Sequence, residues 1–165
     1  MKTPDRLWAP WRRAFILGPR RRGCVFCQAR RSRDDRRVQV LVRGRHVFCL
    51  LNRYPYNAGH VMVAANRHVG SLDRLTPAES VELIQVAARM VTVLRGALRA
   101  HGFNVGINLG RVAGAGIPGH LHLHIVPRWI GDANFMPATS GTKVMSSSLD
   151  VLYTELRRAL ARRPQ

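Results

Sequence analysis

Three histidines alternate with apolar residues in the second half of the chain: His120, His122 and His124 are separated by Leu121 and Leu123. At the two-residue period of a strand, the imidazoles share one face and the leucines the other. A rise of about 3.3 Å per residue puts neighbouring imidazoles about 6.6 Å apart and aims them at one place. Incidental surface histidines or a metal site are alternatives. The strict alternation favours a reactive centre, because imidazole can act as base, acid or nucleophile at phosphorus near neutral pH.

A second pair of reactive side chains, Cys24 and Cys27, has the C-x-x-C spacing of a redox pair or of half a metal site. A redox pair is expected in a thioredoxin-like βαβ setting, whereas a polar, arginine-rich loop is predicted after Cys27. A zinc site requires two further ligands, for which His68 and His120 are candidates. Cys49 lies within a predicted strand, and we expect it to be a small core residue.

A glycine-rich segment, Gly114-Ala-Gly-Ile-Pro-Gly119, directly precedes the histidines and matches the G-x-G-x-x-G dinucleotide fingerprint. That fingerprint should open a helix, but Pro118 and the alternating histidines indicate a strand, so we reject a dinucleotide-binding fold. Glycine-rich backbone can still bind phosphate through its N–H groups. The sequence therefore predicts a phosphate-binding loop that leads into the histidine strand.

Composition limits the class of protein. The 165 residues suffice for one domain with a substantial core, and 46% of them are hydrophobic. No apolar run is long enough to span a bilayer, and the first residues lack an apolar signal core. Three cysteines do not make a disulfide framework. We therefore expect a cytoplasmic protein with no membrane partner.

The net charge of +18, with a pI near 11.8, comes largely from arginines between Arg12 and Arg45. Such a surface attracts polyanions, so a nucleic-acid-binding module is an alternative function. However, no helix-turn-helix, RNA-recognition motif or aromatic interleaving accompanies the arginines. We interpret them as a solvated surface that helps to collect nucleotides, with adventitious nucleic-acid binding.

The secondary-structure pattern surrounds the histidines with a sheet. Strands are predicted at 38–42, 46–52, 60–65, 103–110 and 119–127, the first two forming a hairpin around Gly44. Thr76-Pro-Ala-Glu79 is a capping box that starts a helix, and Gly102 ends it. A second amphipathic helix follows Ser148. The predicted buried stripe of the first helix is Ile84, Ala87, Val91, Leu94 and Leu98. These elements indicate an α+β domain built on a β-meander.

The whole chain, residues 1–165, is predicted to form a single domain. Residues 1–37 form an N-terminal arm with the C-x-x-C pair and the basic run, irregular over residues 1–22; residues 38–137 form the catalytic core, and residues 138–165 the C-terminal helix and tail. The indole side chains of Trp8 and Trp11 in the arm need to be buried, and a boundary between subunits is one place where this can happen.

The motif H-φ-H-φ-H-φ-φ, in which φ is apolar, spans His120 to Val126 and resembles the signature of the histidine triad (HIT) superfamily of nucleotide hydrolases and transferases. The flanking segments 108–119 and 127–137, with Trp8-Ala-Pro-Trp-Arg12, are similar to the branch that contains diadenosine tetraphosphate phosphorylases. The resemblance covers residues 7 to 160. It implies a five-stranded antiparallel sheet with one long helix and a C-terminal helix, in a homodimer with a continuous sheet.

The resemblance also implies roles for individual residues. His122 would attack the α-phosphorus and carry a nucleotide covalently, with its other nitrogen held by a backbone carbonyl. His124 and His60 would hydrogen-bond the phosphate oxygens, joined by the loop around Gly114, Gly116 and Ile117. Asn52 matches a ribose-contacting asparagine and Asn108 a phosphate-side polar residue, although both could be turn residues instead.

A structural zinc ion is implied as well. In zinc-bearing members of the superfamily, the ligands are a C-x-x-C pair, a histidine after the third strand and the first triad histidine. Cys24, Cys27, His68 and His120 match these positions, and two thiolates with two imidazoles suit tetrahedral zinc. Four protein ligands would close the site and tie the arm to the histidine strand.

The expected activity is cleavage of diadenosine polyphosphates through a nucleotidyl-histidine. Phosphorolysis, with inorganic phosphate as acceptor, is slightly favoured over hydrolysis. Hydrolysis of nucleoside phosphoramidates is an alternative within the superfamily.

Overall fold

A computed structural model describes residues 23–132 and 147–162 of the chain. It contains a five-stranded antiparallel sheet and four α-helices, so the predicted α+β class is confirmed. Residues 1–22, which include Trp8 and Trp11, and residues 133–146, which precede the last helix, lie outside the described residues. In chain order the elements are α1 (Val25–Arg31), α2 (Asp35–Val38), β1 (Val40–Arg43), β2 (Val47–Leu51), β3 (Val61–Ala65), a 3-10 turn (Leu72–Arg74), α3 (Pro77–Leu98), β4 (Gly102–Ile107), β5 (His122–Arg128) and α4 (Leu149–Ala161).

The strand order is β1-β2-β3-β5-β4, which is not the predicted meander. Helix α3 carries the chain from β3 to the far edge of the sheet, and β5 then returns between β3 and β4. Strand β3 ends at Ala65 as predicted, and the other strand ends differ from their predicted positions by up to about three residues; β4 ends at Ile107 and β5 begins at His122. The crossover matters for function, because it places the histidine strand inside the sheet, where both neighbours fix its backbone.

Helix α3 begins as the capping box predicts: the Thr76 side chain accepts from the Glu79 N–H, and the Glu79 carboxylate accepts from the Thr76 N–H. It ends at Leu98, where Arg99 adopts a left-handed conformation (φ 50°), whereas Gly102 opens β4. The predicted stripe is only partly right, since Ile84 is 60% exposed. The helix has apolar residues on several faces, and only packing on the sheet selects the buried set of Leu83, Val86, Ala87, Met90, Val93 and Leu94.

The core has two parts, one on each face of the sheet. Helices α3 and α4 cover one face, and α4 starts where predicted, with Ser148 as its N-cap. Helix α1 covers the other face by burying Phe26 and Ala29 against a smaller cluster. This corrects the arginine-rich loop predicted after Cys27, because two short helices occupy that stretch. No helix within the described ranges is long and apolar enough to cross a membrane.

The C-terminal end of α1 is fixed by Arg43 on β1. Its guanidinium donates to the carbonyl oxygens of Arg30 (2.8 Å), Ser32 (2.8 Å) and Ala29 (3.1 Å) and pairs with Asp35 (2.6 Å). A cation at this position satisfies carbonyls that have no partner within the helix. The contact holds the cysteine-bearing helix on the sheet.

Candidate active site and metal cluster

The three alternating histidines divide between two sites. His122 and His124 lie on β5 with ring centroids 4.8 Å apart. His120 precedes the first paired residue of β5, and its ring nitrogen Nδ1 lies 3.3 Å from Cys24 Sγ. The expectation that all three imidazoles aim at one place is therefore wrong, because the strand's regular pairing starts only at His122.

The imidazole of His122 is held in one orientation. Its Nδ1 lies 2.7 Å from the His120 carbonyl oxygen, which can only accept, so Nδ1 carries the proton and Nε2 keeps a free lone pair. The expected backbone-carbonyl contact is thus confirmed. His122 is 6% exposed, and burial lowers its pKa although the carbonyl contact opposes the change. A neutral ring with an unprotonated Nε2 is the form that a nucleophile at phosphorus requires.

His60 and His124 form a chain of hydrogen bonds with a defined direction. The Tyr56 N–H donates to His60 Nδ1 at 3.0 Å, so a neutral His60 carries its proton on Nε2. That proton points to His124 Nδ1 at 2.9 Å, which leaves the proton of a neutral His124 on its Nε2. His60 is fully buried. This placement suits a residue that orients His124 better than one that contacts phosphate, which was the role expected for His60.

The turn before β3 supports this chain. Gly59 has φ +73°, and a Cβ there would collide with Leu98. Asn52 accepts from the Tyr54 N–H at 2.9 Å, which is an Asx turn, and its amide lies 3.3 Å from His60 Nδ1. Asn52 therefore makes a turn contact beside His60, and its contact with a ribose stays a prediction.

The glycine-rich loop connects β4 to β5. The N–H of Gly114 donates to the Arg111 carbonyl at 3.0 Å, so it is used within the loop. A Cβ on Gly114, which has φ +87°, would lie 3.9 Å from the amide nitrogen of Asn108. Gly116 is exposed, whereas Ile117 packs against the apolar cluster under α1. The loop thus brings Asn108 near Gly114 and is anchored next to the histidine face of the sheet.

Cys24, Cys27, His68 and His120 form a second cluster in which one ligand atom of each lies within 4.8 Å of the others. The two Nδ1 atoms are 3.3 Å apart, and the sulfur–nitrogen distances include 3.3 Å and 3.6 Å. Tetrahedral zinc, with bonds of about 2.0 Å to nitrogen and 2.3 Å to sulfur, requires edges of about 3.3 to 3.8 Å. The donor set and these three distances therefore fit a four-coordinate metal, and the 4.8 Å limit of the cluster would have to shorten by about 1 Å on binding.

An outer contact orients the His120 imidazole of the cluster. His120 Nε2 donates to the Ala65 carbonyl at 2.8 Å, which leaves Nδ1 for a metal, and burial lowers the pKa of His120. Next to His68, Arg67 makes a bidentate pair with Glu79 (2.7 and 2.8 Å). This arginine lowers the pKa of Glu79 to about 2. Burial, with the neighbouring Cys24 thiol, raises the pKa of Cys27, so metal binding would have to displace a proton.

Sequence reasoning missed several residues that build these sites. Phe26, between the two cysteines, packs its ring 4.7 Å from His122 and 5.0 Å from His120. Asp132 accepts from Asn57 at 2.8 Å and pairs with Arg128 at 2.7 Å, which ties the turn before His60 to the end of β5. The spacing of four residues between Arg128 and Asp132 was a signal for that pair, whereas no local pattern indicates where the Phe26 ring lies.

Comparison with known proteins places this geometry in a family. A family model described as HIT domain matches residues 34–129, from α1's end through the histidine strand. The chain belongs to the HIT family. A HIT-family relative from Mycobacterium tuberculosis, named AP-4-A phosphorylase, is 40% identical over 166 residues, covering 95% of this chain and 83% of that protein.

Two further HIT-related proteins extend the comparison. A bis(5'-nucleosyl)-tetraphosphatase (asymmetrical) from Schizosaccharomyces pombe is 32% identical over 73% of this chain and 58% of that protein. A crystal structure described as a Zn-bound histidine triad family protein from Mycobacterium smegmatis is 25% identical, with a TM-score of 0.67 over 85% of this chain and 94% of that one.

Proposed function

We propose that this HIT-family enzyme cleaves dinucleoside polyphosphates of the diadenosine tetraphosphate type through a nucleotide held covalently on His122. The observation that carries the proposal is the 2.7 Å contact from His122 Nδ1 to the His120 carbonyl, because it leaves Nε2 as the nucleophilic atom. The 40% identity with the M. tuberculosis AP-4-A phosphorylase supports both the substrate class and a role in nucleotide processing.

In the first half-reaction, the Nε2 lone pair of His122 forms a bond to an α-phosphorus. The bond from that phosphorus to the bridging oxygen breaks, and its electron pair leaves with the oxygen. We assign to His124, whose proton lies on Nε2 when the ring is neutral, the protonation of this leaving group. We assign to Asn108 and to the backbone around Gly116 and Ile117 the binding of phosphate oxygens, with Gly114 shaping that loop.

The second half-reaction distinguishes a phosphorylase from a hydrolase. We propose inorganic phosphate as the acceptor: it attacks the same phosphorus, gives its proton to His124, and returns the electron pair of the N–P bond to His122. The named phosphorylase is the more similar relative (40% against 32% for the tetraphosphatase), and it also covers more of this chain.

Product analysis tests this proposal. The enzyme is incubated with diadenosine tetraphosphate in the presence and absence of phosphate, and the nucleotides are separated by chromatography. Phosphate-dependent formation of ADP with ATP is expected, and AMP with ATP at the same rate in both conditions would make the enzyme a hydrolase. Adenosine phosphoramidate as the preferred substrate, or steeply salt-dependent nucleic-acid binding without any nucleotide turnover, would contradict the proposal.

We also propose that the cluster of two cysteines and two histidines holds zinc as a structural ion. Bound there, the ion would cross-link α1 to the segments that carry His68 and His120, and four protein ligands leave no open position for substrate. The Zn-bound HIT structure from M. smegmatis supports the choice of metal. Metal analysis should find one zinc per chain, retained in Cys49→Ala and lost in Cys24→Ser. Equal metal content in all three proteins would reject the site.

The assembly and location belong to the proposal as well. Strand β4 is an edge strand, and Val105 on it is 52% exposed, so we propose that a second copy pairs there to form a continuous sheet in a homodimer. We assign a cytoplasmic location, since the proposed thiolate ligands and the third free cysteine require reducing conditions. Adventitious nucleic-acid binding through the arginines is expected to be weak and sensitive to salt.

A further inference from the structure

The side chain of Phe26 belongs to the apolar cluster under α1 and also contacts the proposed nucleophile. Its ring lies against the His122 ring, with centroids 4.7 Å apart and planes inclined at 36°. Phe48 packs edge-on at 6.5 Å and holds the Phe26 ring, which is 1% exposed. On another side of His122, the His124 ring is edge-on at 4.8 Å and 70°. The proposed nucleophile, itself 6% exposed, therefore presents its π system to an aromatic ring.

The charge on His122 changes during the reaction described under Proposed function, on which this inference rests. While Nδ1 stays protonated and bonded to the His120 carbonyl, forming the bond from Nε2 to phosphorus makes the imidazole an imidazolium. The electron pair of the broken P–O bond leaves with the nucleotide product. The positive charge persists until phosphate attacks and the N–P electron pair returns to Nε2.

Burial makes this charge costly unless something compensates for it. The His122 side chain is 6% exposed, and a ring removed from water in this way is less favourable as a cation than as a neutral group. The Nδ1–carbonyl contact compensates in the plane of the ring, and Phe26 is the described aromatic ring nearest to the ring's face. An aromatic face attracts a cation within about 6 Å of its centroid, most strongly where water is excluded.

We propose that Phe26 stabilises the imidazolium charge of the nucleotidyl-His122 intermediate through a cation–π interaction. The residue between the two metal-binding cysteines then has a chemical role of its own. Helix α1 positions its ring, and the proposed metal ligands on either side in sequence keep the helix in place. The interaction strengthens as the N–P bond forms, so it lowers the barrier to the covalent step and favours the intermediate over the free enzyme.

The test varies the charge of the aromatic face with little change in size. Phe26 is replaced site-specifically by mono-, di- and trifluorinated phenylalanine, and Phe48 is replaced in the same way as the matched control. Single-turnover mixtures with diadenosine tetraphosphate are quenched in alkali, where an N–P bond survives, and the nucleotidyl-enzyme is measured over time. Zinc content and melting temperature are measured for every protein.

We expect the rate of nucleotidyl-enzyme formation to fall with each fluorine at position 26, by about 3- to 30-fold over the series. The series at position 48 should leave the rate unchanged. Equal rates across the position 26 series would overturn the inference while leaving the covalent mechanism intact. Absence of any nucleotidyl-enzyme in the unmodified protein would overturn the proposed function itself. Phe26→Leu, which keeps an apolar side chain without a π face, should be at least as slow as the trifluorinated protein.

Discussion

The ion pair between Arg67 and Glu79 links helix α3 to the segment that carries His68, and its removal has a calculable effect. The Glu79 side chain is 5% exposed and that of Arg67 is 55% exposed. Glu79 also accepts from the Thr76 N–H at 2.8 Å. Glutamine preserves this capping contact, since it is acceptable at the same helix position. Glu79→Gln therefore removes the charge interaction and leaves the cap.

An upper limit on the magnitude follows from the pKa of Glu79, which Arg67, with a smaller contribution from Thr76, lowers from its ordinary value of 4.5 to about 2. At about 1.36 kcal/mol for each pKa unit, the difference corresponds to about 3.4 kcal/mol of folding free energy. Because more than half of the Arg67 side chain is in solvent, screening reduces the expected value to about 2 kcal/mol. The pKa is lower in the folded state, so this stabilisation is complete above pH 4.5 and disappears as the pH falls towards 2.

Denaturant unfolding of the wild type and Glu79→Gln, at pH 7 and at several values down to pH 2.5, measures this contribution. At pH 7 we expect the variant to be less stable by about 2 kcal/mol and to melt about 4 to 8 °C lower. The difference should shrink as the pH falls below 4.5. Glu155→Gln on α4, a carboxylate outside the three ion pairs of the described residues, is the matched control. A stability difference that stays constant with pH would refute the electrostatic account.

Two further predictions concern the proton relay and the assembly. His60→Ala removes the donor that orients His124. We therefore expect the covalent step to slow by about 100-fold in single-turnover kinetics, with little change in substrate affinity in equilibrium binding. An unchanged rate would exclude a role for the His60–His124 hydrogen bond in proton transfer. Val105→Lys places a charge on the exposed edge of β4 and should convert a dimer to a monomer in light scattering, whereas Val81→Lys on the exposed side of α3 should not. A dimer that persists in Val105→Lys would locate the interface elsewhere.

The elements near strong local signals could be predicted from the sequence. The capping box at Thr76 and Glu79 and the cap at Ser148 determine helix starts through contacts within four residues. The alternation of histidines with leucines predicted the strand and its buried face, because that period depends only on the local backbone. The metal cluster was predictable from the spacing of Cys24 and Cys27 together with the family resemblance.

Features that depend on long-range packing could not be predicted in this way. The insertion of β5 between β3 and β4 depends on how α3 crosses the sheet, and no local sequence pattern in these strands indicates it. The buried face of α3 was ambiguous because Ile84, apolar but 60% exposed, matches the helical period as well as its buried neighbours do. The separation of His120 from His122 required the position of helix α1, and a loop had been predicted after Cys27 where most of this helix lies.

The covalent adduct on His122 tests the central claim most directly. The enzyme is mixed with diadenosine tetraphosphate without phosphate, quenched in alkali, digested and examined by mass spectrometry. The account predicts one nucleoside monophosphate on the peptide that contains His122, its absence in His122→Gly, and its persistence in His46→Gly. Rapid dinucleotide cleavage by folded His122→Gly, or an adduct on a different residue, would contradict it.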